Sequence, residues 1–124
     1  MDNKKIKSFT DLNVWKEGHN LVLMVYEETK NFPAEERFGL RDQIRRAVTS
    51  ITNNIAEGFS RSSSKEKSKF YFISLGSLTE VQNQLLIARD LKYISQETFD
   101  QIAQQTVVVK KLLRGLIKSA RSMP

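Results

Sequence analysis

The sequence predicts an all-α fold: an antiparallel, up-down-up-down four-helix bundle built from one domain spanning residues 1–124. Three observations lead there. Five glycines and two prolines are few for this length, and long stretches run free of either breaker. Apolar residues recur at steps of three and four in four successive blocks. The links between blocks are short, so each returns the chain beside the helix it has just left. A single domain of this size buries roughly two-thirds of the surface that its unfolded chain exposes.

Thr10 or Asp11 can cap a first helix continuing to about Asn31, with Trp15, Val22, Val25, Tyr26 and Thr29 on one face and Leu21 and Met24 widening it. Asn31-Phe32-Pro33 ends that pattern. Proline lacks a donor and disfavours helical geometry at the residue before it, yet suits the first position of a following helix. The second helix is therefore expected from roughly Pro33, with an irregularity at Gly39, to about Glu57, and Gly58 reads as its stop. Glu35 and Glu36 complement the positive N-terminus. Leu40, Ile44, Ala47, Val48, Ile51 and Ile55 form its buried stripe, while Arg46, Ser50, Asn53, Asn54 and Glu57 follow the same steps on an adjoining face. That polar seam requires partners, since a buried polar group left unpaired costs roughly 1–3 kcal/mol.

Ser63 and Glu66 carry the spacing of a capping box and open a third helix running from about Ser64 to Leu91. Its apolar arc is broad. Phe70, Ile73, Ser77, Val81, Gln84 and Ala88 share one side, and Phe72, Leu75, Leu78, Leu85 and Leu86 spread over the next. Gly76 and Ser77 are small enough to admit a close helix approach. Ser95 caps a fourth helix through about Ala120, with Phe99, Ile102, Val109, Leu113, Leu116, Ile117 and Ala120 inward.

The seam finds its partners most economically inside the bundle. Arg45 or Arg46 would pair with Glu57 or Glu80 across the second and third helices, with Ser50, Asn54, Ser77 and Gln84 completing the hydrogen bonds. Catalytic chemistry has little to stand on. There is no cysteine, His19 is the only histidine, and no P-loop, nucleophile elbow or zinc-protease pattern occurs. Glu57, Glu80 and Glu97 lack the E-x-x-H partners of a carboxylate-bridged metal site. Catalytic residues, metal and cofactor are all expected to be absent.

Charge points outward. The formal net charge is +6 and the isoelectric point near 9.7, which favours an anionic partner: nucleic acid first, an anionic membrane surface second. No acidic residue follows Asp100, and Lys110, Lys111, Arg114, Lys118 and Arg121 lie on one broad face of the fourth helix. Arg61, Lys65, Lys67 and Lys69 surround the start of the third, opposed only by Glu66. A solvated face with cations near a helix C-terminus would account for the same pattern. Aromatic interleaving is weak, limited to Tyr71 and Phe59 nearby. No segment approaches the roughly 20 apolar residues that span a bilayer. The lysine-containing start has no apolar run behind it, so residues 1–9 are expected to be a basic, mobile tail, and the protein cytoplasmic.

The run FPAEERFGL…QIRRAVTSITNNIAEG followed by SKFYFISLGSLTEVQNQL resembles the small four-helix proteins encoded in intervening sequences of bacterial 23S ribosomal RNA genes. Upstream, Phe9, Leu12, Val14 and Trp15 resemble that family's F-x-x-L-x-V-W opening, so the likeness covers nearly the whole chain. Accessory proteins of diversity-generating retroelements look like a neighbouring branch. The resemblance implies a homo-oligomeric ring, a pentamer, with a basic surface suited to nucleic acid and no established catalysis. Gln43, Arg45, Arg46, Ser50, Asn54, Glu57 and Gly58 match its signature and are carried over as fold or assembly residues. A broad apolar arc on the third helix independently favours self-association.

The expectation is a non-enzymatic, homo-oligomeric scaffold that binds RNA through backbone contacts from Lys110, Lys111, Arg114, Lys118 and Arg121, joined by Arg61, Lys65 and Lys69. The alternative is a protein-interaction adaptor whose basic face meets an acidic, polymerase-like partner.

Overall fold

The computed structural model describes residues 5–123, so the first part of the basic tail, Lys4 included, and Pro124 lie outside the described residues. Ser8 caps a 3-10 turn at Phe9–Asp11 by a reciprocal capping box, with the Asp11 carboxylate accepting from the amides of Lys7 and Ser8. The expected tail is thus tied down from Lys7 onward. Four α-helices follow: α1 (Asn13–Thr29), α2 (Leu40–Ser60), α3 (Ser64–Asp90) and α4 (Gln96–Arg121).

The helices pack in a closed circuit, α1 on α2, α2 on α3, α3 on α4 and α4 on α1, while among the described residues the backbones of diagonal helices stay farther apart. Residue numbers fall on one helix as they rise on its neighbour. Gly18 faces Thr52 while Thr29 meets Arg45, and Ser50 meets Ser77 while Gly58 faces Tyr71. Ser64 meets Ala120 at one end of the α3–α4 pair, Gln82 meets Thr106 midway, and Arg89 covers Phe99 at the other. The core is one cluster centred on Leu21, Val25, Ile44, Val48, Ile51, Ile55, Leu78, Val81, Val109 and Leu113. A four-helix bundle is the result.

The α2 stripe buries all six expected residues. Other elements differ from expectation. Residues after Pro33 form a 3-10 turn, Ala34–Glu36, and α2 starts only at Leu40. The Glu36 carboxylate reaches past this break and accepts the Leu40 amide at 2.9 Å, satisfying one of the free donors at the helix start. Gly58 is not a stop but an interior, buried helix position, and α2 continues to Ser60. A Cβ there would sit 2.6 Å from the Tyr71 ring, so the absent side chain is what lets α3 approach. Gly76, expected to perform that function, faces open space.

On α1 the buried row is Val14, Gly18, Leu21, Val25 and Thr29, rotated from the expected face; Trp15 and Val22 are half-buried and Tyr26 is on the surface. On α3 the buried row contains Tyr71 and Ser74, whereas Ile73 is exposed and Phe70 half-buried. Four consecutive apolar residues, Phe70 to Ile73, let the helix turn either way on pattern alone. The Ser74 hydroxyl, fully buried, settles the orientation by donating to the Ile51 carbonyl at 2.8 Å. Ser63 and Ser95 cap α3 and α4 as expected, accepting from the amides of Glu66 and Thr98, but the Glu66 carboxylate makes no return bond to the Ser63 amide, so the expected box is only half formed.

Candidate nucleic-acid interface

The α2 seam resolves into an internal half and an external half. Ser50 and Ser77 hydroxyls lie 2.8 Å apart, and Asn54 donates to the Ser50 carbonyl and hydroxyl. The Ser50–Ser77 bond fastens α2 to α3 as expected, whereas Asn54 bonds within α2 and only orients Ser50. The expected cross-helix ion pairs do not form. Arg46 pairs with Asp42 and Glu57 with Arg61, each one turn away on its own chain segment, because an i,i+4 partner needs no tertiary placement. Arg45 instead reaches α1, donating to the Thr29 hydroxyl at 2.8 Å and lying 4.5 Å from the Tyr26 ring centre. Glu80 sits on an open groove with Gln43, Arg46, Ala47, Ser50 and Gln84, and the buried Gln84 oxygen has no hydrogen-bond partner.

The basic residues are brought together more closely than the sequence shows. The Ser64 hydroxyl donates to the Ala120 carbonyl at 2.7 Å, placing the first turn of α3 against the last turn of α4. Lys65 and Lys69 therefore join Lys118 and Arg121 at one end of the bundle, while Lys110, Lys111 and Arg114 continue along α4. All but Lys110 of these seven are exposed, and none forms an ion pair among the described residues. Arg61 is different: it is half-buried, bonded to Glu57 and stacked 4.8 Å from the Phe70 ring centre, with its Nε unpartnered. Lys67 is also committed internally, donating to the Phe59 carbonyl at 2.8 Å near the end of α2, where a cation meets the negative end of the helix dipole.

The asymmetry extends to the whole length of the bundle. The half made of residues 5–20, 50–78 and 109–123 holds twelve Lys and Arg against four Asp and Glu, whereas residues 21–49 and 79–108 hold seven against nine. One half thus exceeds the net charge of the molecule and the other opposes it. Aromatic rings lie within the basic half too. Phe59 carries Lys67, Phe70 carries Arg61 and Lys69, and Phe72 carries Arg121 at 5.3 Å. Sequence reasoning missed Phe72, whose exposure depends on the rotation of α3. It named Tyr71, which is 2% exposed and whose phenol burial shifts upward in pKa.

The remaining chemistry is sparse. No cluster of three His, Cys, Asp or Glu suited to a metal occurs among the described residues. His19 stacks on Trp15, ring centres 4.7 Å apart and 14° from parallel. No helix among the described residues is long and apolar enough to cross a membrane.

Residues 10–115 match the model of a family described as 23S rRNA-intervening sequence protein. Among solved structures, the chain is similar to a protein of unknown function from the S23 ribosomal protein family of Bacteroides thetaiotaomicron. The identity is 25% and the TM-score 0.78, over 85% of this chain and 95% of that one. No curated protein matches the sequence.

Proposed function

The chain belongs to the 23S rRNA-intervening sequence protein family, and from that premise we propose that it is a non-enzymatic, self-associating scaffold that holds RNA on its basic half through phosphate contacts. The observation that carries this reading is the lengthwise division of charge. Twelve cations against four anions lie in the half that holds the start of α1, the ends of α2 and α4 and the start of α3. Lys111, Arg114, Lys118 and Arg121 follow steps of three and four along one exposed face, free to neutralise successive phosphates. Phosphate contacts fix position without reading bases, so binding is tolerant of sequence and sensitive to salt.

Self-association draws support from α3. Beyond the basic end, α3 carries no charged residue between Glu80 and Arg89, although Leu86 and Ile87 are 41% and 39% exposed. A surface helix so poor in charge is suited to being covered by another chain.

Filter binding of RNA tests the proposal. Raising salt from about 50 to about 200 mM should weaken binding roughly a thousandfold if about eight phosphates are neutralised. Lys111→Glu with Arg114→Glu should weaken it at low salt while leaving the thermal melt in place, because both side chains are exposed. No retention at low salt, or retention indifferent to salt, would overturn the reading.

A further inference from the structure

We infer that the basic end takes an unpaired nucleic-acid strand, with one base resting on the ring of Phe72; this rests on the phosphate-binding reading and names its substrate class. Phe72 is 44% exposed on a helix whose two preceding turns present Lys69 and Lys65 along the same stripe, three and seven residues back. The Arg121 guanidinium lies over the ring from α4, 5.3 Å from its centre. A large apolar face in the most cationic part of the molecule is thus bordered by cations from two helices. Phosphates on Lys65 and Lys69 would place a nucleobase at the ring.

The next turn supplies the room. Gly76 is four residues beyond Phe72, and nothing lies within 4 Å of where its Cβ would be. A side chain on a helix covers the turn before its own Cα, so any larger residue at 76 would lean over the Phe72 ring. Glycine leaves that approach clear, at a cost of roughly 1 kcal/mol in helix propensity that no contact within the chain repays. A base within a duplex has both faces stacked on its neighbours and cannot use the ring. An unpaired base can, and stacking of this kind is indifferent to base identity.

Fluorescence anisotropy with the full chain and a labelled, unstructured pyrimidine RNA, alone and annealed to its complement, tests the inference. The single strand should bind more tightly than the duplex. Phe72→Leu, which keeps an apolar helix former, should weaken single-strand binding roughly five- to a hundredfold and leave duplex binding unchanged. Phe72→Trp should retain it, and Gly76→Leu should reduce it while leaving the circular-dichroism melt no lower than wild type. Equal binding of both forms, with Phe72→Leu without effect, overturns the stacking inference but keeps the electrostatic reading. Failure of the unsubstituted protein to bind either form at low salt overturns both.

Discussion

Gly58 and Gly115 show how little a residue's identity says without its neighbours. Both are interior helix glycines, yet a Cβ at 58 would collide with the Tyr71 ring and one at 115 would meet nothing within 4 Å. Gly58→Ala should therefore destabilise the bundle by about 1–3 kcal/mol through overpacking. Gly115→Ala should stabilise it by up to about 1 kcal/mol through helix propensity. Urea unfolding of the two variants checks the opposite signs. Glu36 offers a second residue-level test. Its carboxylate accepts from the Leu40 amide and then from the Tyr93 hydroxyl, and both hold its pKa below the ordinary 4.5. The charged form is favoured by folding, so the stability it lends is present above the unfolded pKa and lost as pH falls through the lowered folded value. Glu36→Gln should flatten the acid limb of a stability-against-pH curve, leaving the neutral-pH slope alone.

The elements were legible to different depths. The α2 stripe was read correctly because Leu40, Ile44, Ala47, Val48, Ile51 and Ile55 alternate with polar residues and leave one possible inward face. In α3 the same reading holds for Ser77, Val81, Gln84 and Ala88 but misses at Phe70 and Ile73, where four consecutive apolar residues leave the inward face open and Tyr71 and Ser74 are buried instead. Phe72 was assigned to the outlying part of the apolar arc and not set beside the cations, although those cations were found. The start of α2 was misplaced because residues 34–36 close a 3-10 turn and the Glu36 side chain, four residues back, accepts the Leu40 amide, a local bond that apolar spacing does not announce. The rotation of α3 also sets the prediction for that element. Ile87→Glu adds charge to an exposed face and should leave the fold intact. If the face is covered by a second copy, light scattering should show the assembly dissociate; an unchanged mass, or a wild-type monomer at micromolar concentration, contradicts self-association through α3.

At the scale of the molecule, the circuit of four helices does what the linear sequence conceals: it gathers cations from residues as far apart as Lys65 and Arg121 at one end. Counting charge along the chain located the basic stripes on α3 and α4 separately. Their convergence follows from the packing of α3 along α4, whose contact at that end is the Ser64–Ala120 bond. The division of charge has a further consequence for encounter. A helix of 27 residues spans roughly 40 Å, several times the Debye length of about 8 Å at physiological ionic strength. A polyanion nearing one tip is therefore screened from the other, and meets a local charge greater than the net +6 of the whole. The bundle is an electric dipole along its own axis, turned by an approaching phosphate chain before the two touch, so first contact is made end-on rather than broadside.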